Sequence, residues 1–168
     1  MTNADNEDLE SEVTDLIQML EDIEQRLAEH AAGPAPSGLT EPDEGGTERW
    51  EAAQVWAHMA EFVPFWQAEL EKVVDHYAGS PVPFGRTKDD PARAGAIEEG
   101  RHVPIAELMR QVHDGIEVTR RYLPTLSAAQ WSSVGLHSRR GEMTVPQIVE
   151  RFTIDHLEEH ADQLDDLA

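Results

Sequence analysis

The sequence contains no cysteine among its 168 residues. Disulfide bonds, thiolate nucleophiles and cysteine-ligated metal sites are therefore excluded. Any metal that this chain binds must take nitrogen or oxygen ligands.

Basic residues are scarce, because 13 lysines and arginines stand against 34 acids and give a formal net charge of −21. Nucleic-acid binding draws much of its affinity from basic side chains that neutralise phosphates. Docking on anionic lipid needs the same positive charge. We therefore expect neither nucleic acid nor a membrane as a partner, and we interpret the acidity as a solubility feature.

Long apolar runs are also missing, and we expect no targeting leader. No stretch approaches the roughly 20 apolar residues of a membrane span, and the first eight residues, MTNADNED, lack the basic and apolar regions of a signal peptide. We expect a cytoplasmic protein. The length suits a single domain over residues 1–168.

Apolar residues recur at helical spacing in four long segments, and no stretch shows the period of two that is typical of strands. The spacing predicts helices over about 7–30, 47–78, 104–124 and 144–164, with Thr47 as the cap of the second. We assign no strands. The expected fold is all-α, a four-helix bundle with long loops between helices 1 and 2, 2 and 3, and 3 and 4.

The first helix carries a heptad-type apolar seam: Leu9, Val13, Leu16, Leu20, Ile23 and Leu27. Such a seam is typical of a coiled coil, so a homodimer through this helix stays open. Only three heptads are present, and we favour a helix that packs inside its own bundle.

Several local signals mark the ends of helices. Pro64 interrupts the second helix and predicts a kink or a local break. Pro104 fits the first turn of the third helix. The segments Ser127–Gln130 and Thr144–Gln147 have the pattern of capping boxes, which open a short helix and the last helix.

The loop over 79–103 is unusually long for a compact domain, which is typical of a functional or mobile segment. A helical turn is expected near 92–98. We expect this loop near the mouth of a pocket. Its arginines Arg86, Arg93 and Arg101 could meet an anionic substrate, although ordinary surface positions are the simpler interpretation.

His156 and His160 lie four residues apart, so a helix places both on one face. Chance alone supplies about 0.3 such pairs in a chain with this many histidines. Both histidines continue the apolar stripe of Val149 and Phe152, however, and a buried imidazole must be hydrogen-bonded or ligated. His58 is centred on the broad apolar face of the second helix and is the candidate third ligand.

The remaining histidines and nearby acids have simpler explanations. His113 is a rival third ligand, but it flanks the edge of the third helix. His30, His76, His102 and His137 lie at helix ends or in loops, where we expect them to be solvated. Glu61, one turn after His58, is the best-placed carboxylate to support a metal ligand, and a surface acid is the alternative.

Two segments together resemble a known family. They are WEAAQVWAHMAE at residues 50–61 and GEMTVPQIVERFTIDHLEEH at residues 141–160, and they resemble the DinB/YfiT-like superfamily. The resemblance implies a four-helix bundle in which His58, His156 and His160 bind a divalent metal. Zinc or nickel is the first expectation for that metal, and iron or manganese the second.

The resemblance also implies a class of chemistry. Relatives include transferases and isomerases that use a low-molecular-weight thiol such as mycothiol or bacillithiol. We therefore expect a metal-dependent S-transferase or isomerase that takes a small-molecule substrate and a thiol cosubstrate. Two alternatives stay open: a metal-dependent hydrolase with the same site, and a non-catalytic acidic bundle that binds a partner protein. A homodimer is compatible with both an enzyme and a non-catalytic module.

Overall fold

Four long helical segments form the body of the protein in a computed structural model that describes residues 3–42 and 47–167. They are α1 (Asn3–Ala32), α2 (Ala52–His76), α4 (Ile105–Tyr122) and a C-terminal run of α6 (Val145–Val149), a π-helical turn (Glu150–Ile154) and α7 (Asp155–Asp166). The predicted four-helix bundle is confirmed.

The long connections carry structure of their own. They contain α3 (Pro91–Gly100), a 3₁₀ turn (Leu123–Thr125), α5 (Ala128–Trp131) and the strands β1 (Val82–Phe84), β2 (Val134–His137) and β3 (Gly141–Thr144). Strand β2 pairs in parallel with β1 and antiparallel with β3. The expectation of no strands is wrong. Strands of three or four residues are too short for alternation to show in the sequence.

The apolar seam of α1 lies inside the bundle. Its members Val13, Leu16, Leu20, Ile23 and Leu27 are all buried in the common core, and α1 packs against α4 and α7. The intramolecular interpretation of the seam is therefore confirmed. A coiled-coil dimer through this face would require the bundle to open.

Helix α2 is central and packs against α3, α4, the C-terminal run and the strands β1 and β2. It begins at Ala52, where Glu51 and Gln54 form the capping box, so the prediction of Thr47 as the cap is wrong. Of the two expectations for Pro64, the local break is wrong, because Pro64 lies within an unbroken helix; the kink stays a prediction. Gly115 of α4 allows the two helices to approach there, because a Cβ atom would lie 2.7 Å from Val63 Cγ1.

Capping signals are largely confirmed. Ser127 and Thr144 each form the predicted capping box with the glutamine three residues later. Pro104 caps α4 from just outside the helix rather than from its first turn.

Across the described ranges, each helix is too short or too polar to cross a membrane.

The π-helical turn rotates the buried face of the C-terminal run. Before it, Val145, Ile148 and Val149 face the core; after it, Leu157 and Leu164 do. A π turn adds one residue to the helix, and one residue is worth about 100° of rotation. The apolar residues of α6 and those of α7 can therefore both face the core.

Candidate metal centre

Three histidines from two helices converge at the face between α2 and α7. His58, His156 and His160 each offer one ring nitrogen, and these three atoms lie within 4.8 Å of one another. The ring centroids are 5.3 Å apart for His58 and His156, 4.9 Å for His58 and His160, and 4.8 Å for His156 and His160. Sequence analysis selected the same three residues.

Neighbouring side chains hold each ring in place. His160 Nδ1 donates to Gln163 Oε1 at 2.8 Å, which leaves Nε2 as the nitrogen that could take a metal. His58 is buried, and its Nδ1 makes no hydrogen bond. The ring of His156 stacks on Phe62 with centroids 4.0 Å apart. These contacts limit how far the imidazoles can rotate.

Burial and mutual repulsion keep two of the rings neutral. Burial is the main cause that lowers the pKa of both His58 and His156 well below 6.5, and the neighbouring His160 lowers it further. A neutral imidazole has a lone pair to give to a metal, whereas a protonated one does not. The pocket therefore presents its nitrogens in the form that a metal requires.

The π-helical turn sets the direction of the α7 histidines. It ends at Ile154, two residues before His156. In a regular helix of the same sequence, His156 and His160 would be rotated by about 100° relative to α6. Such π turns are frequent at functional sites, and this one accounts for both histidines facing α2.

The histidines line the floor of a cavity of about 380 Å³. Its remaining lining residues are Trp50, Trp66, Arg86, Thr87, Lys88, Arg93, Glu159 and Gln163. Trp50 contacts His58 edge-on at 5.1 Å, and its main-chain N–H donates to Oγ1 of the buried Thr40 at 3.0 Å. The connection between α1 and α2 thus supplies one wall, and the 79–103 segment supplies another.

A carboxylate stands behind His58. Glu61 Oε2 lies 3.6 Å from His58 Nδ1, and Arg86 binds both Glu61 oxygens at 2.6 Å. The Glu61 side chain is only 15% exposed, so the surface-acid interpretation is wrong. Sequence spacing placed Glu61 one turn from His58 but gave no sign of Arg86, which comes from a loop.

The other histidines lie away from this site. His113 is half exposed and pairs with Glu24, which raises the pKa of the histidine. His76 and His102 are exposed as expected, and His30 is half-buried, 3.4 Å from Asp165.

His137 is buried, so the expectation that it is solvated is wrong. The inward alternation of β2 turns it against Phe84 and Phe152. That alternation is a property of the unpredicted strand, which is why the sequence did not reveal the burial.

The three arginines of the 79–103 segment differ in position. Arg86 and Arg93 line the cavity, whereas Arg101 pairs with Glu51 and Glu98 away from it. The surface interpretation therefore holds for Arg101 alone. Arg93 and Ile97, four apart on α3, are both buried, and this spacing was the available signal that Arg93 faces inward.

Comparisons with solved structures support the fold. YfiT from Bacillus subtilis, described as a probable metal-dependent hydrolase with an unusual four-helix bundle topology, matches with a TM-score of 0.71 at 18% identity. The match covers 92% of this chain and 85% of YfiT. An uncharacterised protein from Clostridium difficile 630 matches with a TM-score of 0.58 at 13% identity, over 99% of this chain and 96% of that one.

A mycothiol-dependent maleylpyruvate isomerase also shares the fold, with a TM-score of 0.63 at 15% identity. The match covers 95% of this chain but only 64% of the isomerase. No curated protein matches this chain. A model of the DinB superfamily matches residues 19–164, which include all three histidines. This protein belongs to the DinB superfamily.

Proposed function

We propose that His58, His156 and His160 bind one divalent metal ion and that the protein is a metal-dependent enzyme which uses a small thiol as cosubstrate. The convergence of three imidazole nitrogens within 4.8 Å on a cavity carries the metal proposal. Three protein ligands leave coordination positions for water or substrate, as catalytic metal sites do.

The donor set fits such an ion. Three imidazoles suit zinc, nickel and iron, and the lack of cysteine removes the softer alternative. Glu61 Oε2 lies 3.6 Å from the buried Nδ1 of His58, so Nε2 is the nitrogen of that ring that would face the ion. Grouping three imidazoles in a buried pocket is unfavourable for folding unless something binds them.

The chain's own groups orient the site. Gln163 selects the tautomer of His160, and Glu61 faces the Nδ1 side of His58. Trp50 and Trp66 contribute apolar surface to the wall of the cavity. A divalent cation bound there would act as a Lewis acid and lower the pKa of a thiol or water in its open positions.

A thiol cosubstrate is supported by two facts. One fold relative is named as a mycothiol-dependent isomerase, and this chain has no cysteine that could serve as a nucleophile itself. Transfer to, or isomerisation of, an electrophilic small molecule is the reaction class we propose. Hydrolysis is the second candidate, because YfiT is described as a probable metal-dependent hydrolase. Both reactions would use the same cavity.

Elemental analysis of untagged protein tests the metal. We expect about one equivalent of zinc, nickel, iron or manganese, which is removed by a chelator and restored by adding the ion. His58→Ala, His156→Ala and His160→Ala should each lose the ion, whereas His113→Ala, a matched change outside the pocket, should keep it. A metal content below a third of an equivalent, which adding any of the four metals does not raise, would contradict the proposal and favour the non-catalytic module.

A thiol-consumption assay tests the chemistry. Metal-restored protein is incubated with electrophilic substrates, with and without mycothiol or bacillithiol. Turnover that requires both the thiol and His58 supports transfer or isomerisation. Turnover that proceeds without thiol assigns the protein to the hydrolase alternative instead.

A further inference from the structure

One arginine–glutamate pair of this protein lies largely out of water. The side chains of Arg86 and Glu61 are 11% and 15% exposed. Arg86 Nη1 lies 2.6 Å from Glu61 Oε1, and Nη2 donates to Glu61 Oε2 at 2.6 Å. Two such parallel contacts between planar groups fix the orientation of the carboxylate. Because taking two charges out of water offsets much of their attraction, stability alone does not account for this pair.

The carboxylate of this pair stands beside a candidate metal ligand. Glu61 Oε2 lies 3.6 Å from Nδ1 of the buried His58. A carboxylate on that side favours the ring form with its proton on Nδ1 and its lone pair on Nε2. A glutamate without a partner would turn toward water, since an unpaired buried charge is costly. Whatever holds Glu61 in place therefore also favours this form of His58.

The Arg86 side chain is fixed by two residues of α2. Glu61 binds its guanidinium through both oxygens, and Arg86 Cζ lies over the Phe65 ring at 3.8 Å. Glu61 and Phe65 are four residues apart, so the helix places both on one face. A guanidinium that stacks on an aromatic ring keeps its N–H groups for a carboxylate. The position of the Arg86 main chain then decides whether the guanidinium reaches Glu61.

The main chain before Arg86 is closely fitted. Phe84 ends β1 and pairs with His137 of β2, and the Gly85 N–H donates to Glu69 Oε2. Gly85 has a φ of +88°, and a Cβ atom there would lie 2.7 Å from His137 Cδ2. A residue with a side chain suits neither that backbone nor that space. Strand β1, Glu69 and His137 therefore fix the point from which Arg86 extends.

We propose that Arg86 is a positioning residue of the metal centre. It holds the Glu61 carboxylate toward His58, so that the placement of the segment after β1 sets the affinity of the three histidines for their ion. This inference deepens the proposed function and rests on it for its meaning in catalysis. By linkage, a segment that strengthens metal binding is itself stabilised by the metal to the same degree. The effect of Arg86 on the His58 ring can be measured without metal.

The zinc affinity of Arg86 variants, measured by competition with a chromogenic chelator, gives the main test. Removing a positive charge near a bound cation should by itself strengthen binding, whereas loss of a positioning contact should weaken it. We expect Arg86→Gln to weaken zinc binding about tenfold, as for other groups that support a metal ligand. Arg86→Lys keeps the charge without the paired contacts and should recover only part of the loss. Unchanged or tighter binding in Arg86→Gln would overturn the inference.

Arg121→Gln is the matched control, since it removes the same charge from a side chain that is 82% exposed on α4. It should bind zinc within about twofold of wild type, because solvent and salt screen its charge. Equal weakening in Arg121→Gln and Arg86→Gln would assign the effect to the charge of the whole protein and overturn the inference.

A double variant tests whether Arg86 acts through Glu61. In Glu61→Gln the carboxylate that Arg86 holds is already gone, so adding Arg86→Gln should weaken zinc binding by less than about a further twofold. If the two single losses multiply in full, Arg86 acts on the ion by another route, and the proposal is wrong.

Two glycine substitutions test the main-chain anchor without changing any charge. The added methyl of Gly85→Ala would lie 2.7 Å from His137 Cδ2. Gly79 has a similar φ of +90°, but among the described residues its Cβ would have no neighbour within 4 Å. We expect Gly85→Ala, shown to be folded by circular dichroism, to weaken zinc binding several-fold, and Gly79→Ala to bind like wild type. Equal affinities in both variants would contradict the role of the segment.

Amide hydrogen exchange tests the coupling in the reverse direction. Saturating zinc should slow exchange of the Gly85 N–H in wild type, by up to the factor that separates the zinc affinities of wild type and Arg86→Gln. In Arg86→Gln this zinc-dependent slowing should vanish. Exchange that zinc leaves unchanged in wild type would contradict the coupling.

Ring-nitrogen NMR spectra of the metal-free protein separate this inference from the proposed function. The His58 ring should carry its proton on Nδ1 in wild type and on a mixture of both nitrogens in Arg86→Gln. If wild type binds no metal, the proposed function falls, and an unchanged His58 spectrum in Arg86→Gln would overturn the inference independently. If wild type binds zinc and Arg86→Gln binds it as tightly, the proposed function stands and the inference falls.

Discussion

Two helix interfaces of the same bundle differ in the side chains at their centres. Between α1 and α4 the contact is apolar at its centre, with Leu20, Ile23 and Val112 fully buried. Between α2 and α7 the centre is a cluster of three imidazoles beside a cavity. Both interfaces hold long helices together. The polar contacts between α1 and α4 are ion pairs, such as those of Arg120 with Glu21 and Glu24, whereas imidazoles form the centre of the second interface.

A histidine in each interface shows the contrast. His113, at the edge of the α1–α4 contact, pairs with Glu24 and has a raised pKa. His58, at the centre of the other, is buried and has a lowered pKa, mainly because burial disfavours its charged form. The partner of His113 favours the charged form of its ring. His58 is held neutral, which suits a ligand and weakens the case for a purely structural role.

The largest expected effect comes from the apolar interface. Leu20→Ala should destabilise the protein by about 2–5 kcal/mol, because Leu20 is completely buried and the cavity left behind adds to the lost burial. Denaturant unfolding measures this change. Metal stoichiometry of the folded fraction should stay at the wild-type value.

Met19→Ala is the matched control for that variant, since Met19 neighbours Leu20 but is 36% exposed. Met19→Ala should lower the free energy of unfolding by well under half as much as Leu20→Ala. If folded Leu20→Ala loses its metal, the apolar interface and the histidine interface are coupled. That result would contradict the contrast between them.

The next largest effect is a loss of metal affinity, and it tests whether Glu61 supports a metal ligand or only forms an ion pair. Glu61→Gln keeps the shape but removes the charge that faces His58 Nδ1 and binds Arg86. Loss of such a supporting group should weaken metal binding about 10–100-fold. Competition with a chromogenic chelator measures the affinity. Glu24→Gln is the same change beside His113 and should leave the metal affinity within about twofold of wild type. If both variants lose equal affinity, the cause is the change in net charge.

Much of this picture was accessible from the sequence. The four helices and the three histidines follow from spacing, because a helix repeats every 3.6 residues and an apolar stripe shows which face is buried. In a regular helix His156 and His160 would extend such a stripe, although the π-helical turn sets their actual direction. His58 lies within another stripe. Their meeting at one point was implied by the family resemblance.

What the sequence did not reveal depends on contacts between distant segments. The strands around residues 82–84 and 134–144 are too short to show a pattern, so the burial of His137 was missed. The π-helical turn leaves no compositional mark either. The partnership of Glu61 with Arg86 joins residues 25 apart across a loop, and no local rule predicts which arginine a loop returns to the site.

A smaller effect tests whether the imidazole cluster is kept at the expense of stability. His156→Leu replaces a half-buried imidazole, stacked on Phe62, with an apolar side chain. The metal-free variant should be more stable than metal-free wild type by about 1 kcal/mol, because a polar ring that is largely removed from water gives way to an apolar one. It should also fail to bind metal. A stability loss above about 1 kcal/mol would instead assign His156 a structural role.

The smallest effect concerns His113 and has a defined sign. Its hydrogen bond with Glu24 raises the pKa of the folded state above the unfolded value near 6.5. The pair therefore stabilises the folded protein fully below pH about 6.5, and this contribution is lost as the pH rises through the raised folded-state pKa. Because the His113 side chain is 48% exposed, solvent screening should keep the contribution under about 1 kcal/mol. Unfolding free energies of wild type and His113→Gln, measured from pH 6 to 9, should converge as the pH rises; a constant difference would show that the pair contributes through packing rather than charge.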